Sequence, residues 1–258
     1  MGYIQILGCY SASMTLNKYQ SSQVLFHKNQ TYLIDCGEAT QALLNKHQIK
    51  LSSINNIFIS HLHGDHYFGL PGLITTMNRK GRTKPLNLFG PIGIKEILTT
   101  MFKHGKSWTS FDLKIKEIDK DEDEDEIYSE NHLKVETFKL DHRISCNAFK
   151  FTITLTNKVF KYAYCSDTAY NPNIVEKIKN IDLLYHEATF LKQHKLLASK
   201  TKHSTSVDAA KIAKEANVKM LLMGHFSTRY KNLENFKIEA SEIFQNSHIA
   251  EQGQKYNF

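Results

Sequence analysis

The stretch "IFISHLHGDHYFGLPGL", positions 57–73, puts four coordinating side chains directly behind an apolar run. His61, His63, Asp65 and His66 lie within six positions. Polar groups crowded at the end of a buried strand cost free energy unless they are bonded to something. Two histidines two apart, just past a strand, can point to the same side. An aspartate and a histidine after a glycine turn can then face a second position a few Å away. Imidazole and carboxylate suit zinc, with manganese or iron also possible. The fold is therefore constrained to deliver a strand end to a metal.

Further ligands must come from other strand ends, and the alternation of the sequence supplies several. "YIQILG" reads as a strand, and "SQVLFH" and "TYLIDCG" as a hairpin around "KNQ". "LNLFGP", "FDLKIKEI", "LKVETFKL", "AFKFTITL", "FKYAYCSD", "DLLYHEATF" and "KMLLMGHF" read as further strands. "EATQALLNKHQI", "IGIKEILTTMFKH", "PNIVEKIKN", "STSVDAAKIAKEANV" (with Ser or Thr as N-cap) and "NLENFKIEASEIFQN" read as helices. Strands dominate early and α/β alternation returns later, which predicts an α/β fold of two mixed sheets packed together with helices outside. Several predicted strands end on site-forming residues: "FKL" on Asp141-His142, "YAYCS" on Asp167, "DLLY" on His186-Glu187 and "LLMG" on His225. His142, Asp167 and His225 complete a two-metal ligand set, with an aspartate able to bridge.

The chain's 258 residues suffice for a single domain, 1–258. No apolar stretch reaches the ~18 residues of a membrane span, and the N-terminal apolar run lacks the basic start of a signal peptide. The expectation is a cytoplasmic protein with no membrane partner. Cys9, Cys36, Cys146 and Cys165 are widely spaced, which fits reduced, buried thiols better than a thiolate metal site. Net charge is +7, yet "DKDEDEDE" at 119–126 is −6 alone, so the remainder carries about +13. The acidic run reads as a solvated loop; the basic remainder favours a polyanionic partner, nucleic acid above all.

"LIDCGEATQALL", "SHLHGDHYFGLPGL", "GRTKPLNLFGPIGI", "LDHRIS", "YCSDTAYNP", "LLYHEATF", "KHSTSVDAAKIA" and "GHFSTRY" follow one another along almost the whole chain. In this order they resemble the metallo-β-lactamase superfamily, and within it ribonuclease Z, the tRNA 3′-processing endonuclease. The metal box alone marks the superfamily; "HEATF" followed by "HST" and "HFSTRY" is much more specific to ribonuclease Z. The resemblance implies a four-layer αβ/βα sandwich. It implies two Zn2+ per chain, one on His61, His63 and His142, the other on Asp65, His66 and His225, with Asp167 bridging. It gives Asp65 a second role with the attacking water. Glu187 and His203 match the positions that protonate the leaving oxygen, and Arg229 is a candidate phosphate contact. It also implies a tRNA precursor as partner and a homodimer. His27, His47, His104, His132, His186, His194 and His248 are read as structural.

Two departures bear on substrate. Bacterial ribonuclease Z carries a long arm between the "HR" and "SDT" boxes that grips the tRNA elbow. Here only 24 residues separate His142 from Asp167, enough for two strands and a turn, so the exosite arm is absent between about 150 and 161. "LGCYSASMTLNKYQSSQ" replaces a loop that in relatives has Gly at the position of Tyr10 and Pro at that of Met14, and that handles the tRNA 3′ end. The principal expectation is a zinc-dependent endoribonuclease that removes the 3′ trailer from tRNA precursors. The alternative is a phosphodiesterase of the same fold acting on small diesters such as cyclic nucleotides, which the missing arm favours. An RNA-binding protein without turnover would not need the complete ligand set.

Overall fold

Alternating and β-branched segments pair into two sheets, each with its own helices, in a computed structural model that describes residues 2–118, 126–130 and 132–258. The chain divides into two compact units, Met1–Asp119 with Glu251–Phe258, and Lys120–Ala250. Of the acidic run 119–126, only Glu126 lies among the described residues.

In the first unit, β1 (Tyr3–Gly8), β2 (Ser22–His27) and β3 (Gln30–Ile34) are antiparallel. Lys28 and Asn29 both take positive φ, 47° and 62°, so the turn at "KNQ" has the twist that suits a two-residue hairpin. β4 (Ile54–Phe58) runs parallel between β3 and β5 (Leu86–Pro91), and β6 (Leu113–Ile118) adds parallel to β5. β4 is buried at every position except the partly open Asn55, and the buried Asn56 side-chain oxygen accepts from Asn87 Nδ2 at 2.8 Å. Three helices cover this sheet: α1 (Thr40–Lys46), α3 (Leu70–Arg79), which follows the single-turn α2 (Gly64–Tyr67), and α4 (Ile94–Gly105). α3 buries Leu70, Leu73, Ile74 and Met77, and α4 buries Ile94, Leu98 and Phe102, in one core with Val24, Leu33, Ile57 and Leu88. Each such side chain contributes roughly 1.5–3 kcal/mol of transfer free energy before entropy is subtracted.

In the second unit, β7 (Glu126–Glu130), β8 (Leu133–Leu140), β9 (Cys146–Thr154) and β10 (Val159–Cys165) form an antiparallel meander. β9 and β10 are joined by a short turn closed by Leu155 N–H donating to the Lys158 carbonyl at 2.8 Å. β11 (Leu183–Glu187), β12 (Met220–Gly224) and β13 (Ser247–Ile249) then continue in parallel from β10. The remaining helices are α5 (Lys195–Thr201), α6 (Ser206–Glu215) and α7 (Glu234–Ser241). α6 starts on a capping box: Thr205 accepts from Asp208 N–H and Asp208 accepts back from Thr205 N–H. The chain then returns to the first sheet with β14 (Lys255–Asn257), antiparallel to β1.

One expected helix is corrected. "PNIVEKIKN" forms two 3₁₀ turns, Pro172–Ile174 and Glu176–Ile178. The Asn171 side chain accepts from Asn173 N–H and tightens the start, and Ile174, Val175 and Ile178 restrict their own χ1 freedom in a segment too short to repay helix nucleation. The four cysteines are buried and form no disulfide among the described residues; burial pushes the Cys9 and Cys36 thiols up to about 12. Among the described residues no helix is long and apolar enough to cross a membrane.

Candidate metal centre

In the first unit the metal box leaves the C-terminal end of β4. Ile59 N–H still donates to the Phe89 carbonyl at 2.8 Å, which holds the strand in line until the box begins. Ser60, His61 and His66 are fully buried, whereas His63 and Asp65 are partly open. Beneath them lies Asp35, a residue the sequence reading did not single out. It follows β3, is fully buried, and takes a left-handed φ of 55°, a conformation tolerated best by Asp, Asn and Gly. Its carboxylate accepts from Ser60 N–H at 2.7 Å, from the Ser60 hydroxyl at 2.9 Å and from His66 Nδ1 at 2.7 Å. Because the Ser60 proton goes to Asp35, its oxygen accepts from His61 Nδ1, 3.0 Å away. Both imidazoles therefore carry Nδ1–H, and each turns an Nε2 lone pair outward. His61 Nε2 meets His63 Nδ1 at 3.0 Å, and His66 Nε2 meets Asp65 Oδ2 at 3.5 Å. Asp65 Oδ2 also accepts from Ala12 N–H at 2.7 Å, and the Ala12 carbonyl accepts from Gln20 Nε2 at 2.6 Å. The loop between β1 and β2 is thus tied to a candidate ligand.

The second unit repeats this logic with other residues. His142 follows β8, Asp167 follows β10, Glu187 ends β11 and His225 follows β12 with a φ of 59°. His142 Nδ1–H donates to the Lys202 carbonyl at 2.8 Å, so its Nε2 lone pair faces Asp167 Oδ2 at 3.8 Å. The Thr189 hydroxyl donates to Glu187 Oε2 at 2.8 Å and so accepts from His225 Nδ1 at 2.9 Å. His225 Nε2 then faces Asp167 Oδ1 at 3.2 Å. The two oxygens of one carboxylate are aimed at two different imidazoles.

A cation between the partners would satisfy these facing atoms. Ligand atoms that share an ion at about 2.0–2.2 Å from each stand a little over 3 Å apart. The spacings His61–His63, Asp65–His66 and Asp167–His225 fit that requirement. Asp167, His203 and His225 also each present a ligand atom within 4.8 Å of the others. The orienting carboxylate, hydroxyls and carbonyl hold Nδ1 of His61, His66, His142 and His225, as supporting groups around metal-bound histidines commonly do.

His203 joins this cluster differently. Its Nδ1 lies 2.7 Å from Glu187 Oε1. Glu187 is fully buried and also accepts from Thr168 N–H at 3.0 Å and Thr189 N–H at 2.9 Å. Burial pushes the Glu187 carboxyl up, but the His203 and His225 imidazoles outweigh it and hold the group below the usual carboxylate range. The result is a carboxylate–imidazole pair next to Asp167. Arg229 is exposed, with Nε donating to Ser227 Oγ at 3.1 Å and its guanidinium 5.1 Å from the Phe190 ring centroid, which presents a planar cation to solvent. Of the seven histidines read as structural, His186 is fully buried in β11, and its Nδ1–H donates to the Glu187 carbonyl at 2.7 Å.

Comparison with known proteins agrees with this architecture. The family described as "Anti-Pycsar protein Apyc1" matches residues 3–256. Ribonuclease Z of Bacteroides fragilis is 36% identical over 294 positions, covering 96% of this chain and 96% of the relative. Ribonuclease Z of Cytophaga hutchinsonii is 37% identical over 296 positions, covering 97% and 94%. Both alignments are longer than the 258 residues here, so the relatives carry residues with no counterpart in this chain. Among solved structures, human tRNase Z, short form, is similar with a TM-score of 0.86 at 28% identity, covering 100% of this chain and 99% of that one. The metallo-β-lactamase fold protein YhfI from Bacillus subtilis is similar in fold, with a TM-score of 0.81. The chain has the metallo-β-lactamase fold and belongs to the ribonuclease Z family, matching the Apyc1 family as well over nearly its whole length.

Proposed function

We propose that this protein is a metal-dependent endoribonuclease that removes the 3′ trailer from tRNA precursors, leaving a 3′-hydroxyl on the tRNA. The observation that carries the reading is the Glu187–His203 pair beside Asp167. A hydrolase acting on a substrate with a good leaving group has no need of such a pair, whereas a nucleoside 3′ oxygen must be protonated as it departs. His203 Nδ1 is held by Glu187 Oε1, which leaves Nε2 as the atom that would give a proton to that oxygen.

In this reading His61, His63 and His142 hold one zinc ion and Asp65, His66 and His225 a second, with Asp167 shared. Mn2+ or Fe would also suit the ligand types. Ions held there would supply Lewis-acid stabilisation of the phosphoryl oxygens and a water of lowered pKa. Asp65, oriented by Ala12 N–H, positions that water. Arg229 pairs with a phosphate of the RNA. The assembly that the family likeness implies is a cytoplasmic homodimer.

The short turn between β9 and β10 supports the absence of an elbow-binding arm and favours the second reading, a phosphodiesterase acting on small diesters. A labelled tRNA precursor with a 3′ trailer, assayed beside a cyclic nucleotide and bis-p-nitrophenyl phosphate, separates the two. A single cut that leaves a 3′-hydroxyl on the tRNA is expected. Turnover of the small diesters with an intact precursor would replace the first reading by the second.

A further inference from the structure

A single exposed apolar side chain needs no explanation in general. Phe68 is distinguished by where its ring is held. It follows α2 directly and is 61% exposed. Gly64, the first residue of α2, sits between His63 and Asp65, and a Cβ placed on Gly64 would run into the Phe68 ring. The ring therefore lies against the backbone at the centre of the metal box. Tyr67 meets it edge-on, with centroids 5.0 Å apart and planes at 68°. The ring is thus positioned from below and from the side, and the rest of its surface faces solvent next to two candidate metal ligands.

We propose that Phe68 is a stacking platform for the nucleobase of a nucleotide adjoining the scissile phosphodiester. The proposal rests on the ribonuclease reading above. A phosphate that reaches the metal ligands brings its flanking nucleotides with it, and the surface they meet beside His63 and Asp65 is this ring. Every base has a π-face, so stacking there fixes register without reading sequence. Phe68 touches the substrate but none of the reacting atoms.

The test pairs a protein change with a substrate change. Phe68→Leu keeps apolar bulk over Gly64 but removes the flat face. Wild type and variant are compared on an intact tRNA precursor and on precursors carrying an abasic residue on either side of the cleavage site. Phe68→Leu should lower kcat/KM on the intact precursor roughly ten-fold, within the range for loss of one base–aromatic stack. An abasic residue at one of the two positions should cost the wild type about the same, and combining the two should cost no more than either alone. Phe68→Tyr should retain the wild-type rate. A 2-aminopurine at the sensitive position should be quenched on binding to wild type in EDTA and not on binding to Phe68→Leu. Losses that multiply at both positions, or quenching that survives in Phe68→Leu, overturn the proposal. Multiplying losses accompanied by a change in oligomeric state would assign the ring to contact with a second copy instead. A wild type that leaves the intact precursor uncut sinks the ribonuclease reading and this inference with it, which distinguishes the two failures.

Discussion

Asp35→Asn should weaken metal binding without removing a proposed ligand. Both oxygens of the buried carboxylate are engaged: Oδ1 accepts from Ser60 N–H at 2.7 Å, and Oδ2 accepts from the Ser60 hydroxyl at 2.9 Å and from His66 Nδ1 at 2.7 Å. An asparagine offers one acceptor and one donor group. If its oxygen stays on Ser60 N–H, its NH2 faces His66 Nδ1, and His66 must move its proton to Nε2, the nitrogen proposed to bind metal. The same NH2 faces Ser60 Oγ and disturbs the support of His61. Loss of an orienting partner typically costs 10–100-fold in metal affinity, about 1.4–2.7 kcal/mol. Because Asp35 supports His66 directly and His61 through Ser60, and these belong to different proposed ions, both affinities should fall. Competition with a chromophoric chelator measures the two dissociation constants, and circular dichroism of the metal-free protein shows whether the fold persists. Two unchanged dissociation constants in a folded Asp35→Asn protein would refute the reasoning.

His203→Ala and Glu187→Gln should slow precursor cleavage on the order of 10²-fold or more, the usual contribution of a general acid, while hydrolysis of bis-p-nitrophenyl phosphate, whose leaving group needs no proton, falls far less. Equal losses on both substrates at unchanged metal content would withdraw the leaving-group role. Inserting a relative's arm into the turn between β9 and β10 should lower KM for tRNA with little change in kcat, because phosphate contacts give much of the affinity for nucleic acid; an unchanged KM would show that the arm is not what limits binding. Burial lowers the pKa of His186 from its ordinary 6.5. The unfolded chain therefore takes up a proton near 6.5 that the folded protein refuses until lower pH, and stability present above about pH 6.5 should be lost as pH falls below it. The melting temperature of the metal-free protein should drop between about pH 7.5 and 5.5, with a shallower slope in His186→Asn; parallel slopes would remove His186 from that account.

How much of this was legible in the sequence depends on how local the cause is. The candidate metal box could be read directly because His61, His63, Asp65 and His66 fall within six positions, and the hairpin and the start of α6 because turn and cap chemistry sit in adjacent residues. Asp35 and Thr189 were missed. Their importance comes from contacts with residues distant in the chain, and Asp35 signals itself only as an acid at the end of an apolar strand. α3 was not assigned; Pro71 falls in its first turn, where the missing N–H costs nothing. "PNIVEKIKN" shows the opposite error: helical spacing without the length to sustain a helix.

The central claim is that Asp167 would be shared by two metal positions. Metal content per chain, determined by elemental analysis after exhaustive dialysis of wild type, His142→Ala and Asp167→Ala, tests it directly. The account predicts about two ions in the wild type, loss of one in His142→Ala, and damage to both positions in Asp167→Ala. One tightly held ion in the wild type, kept by Asp167→Ala, would contradict it.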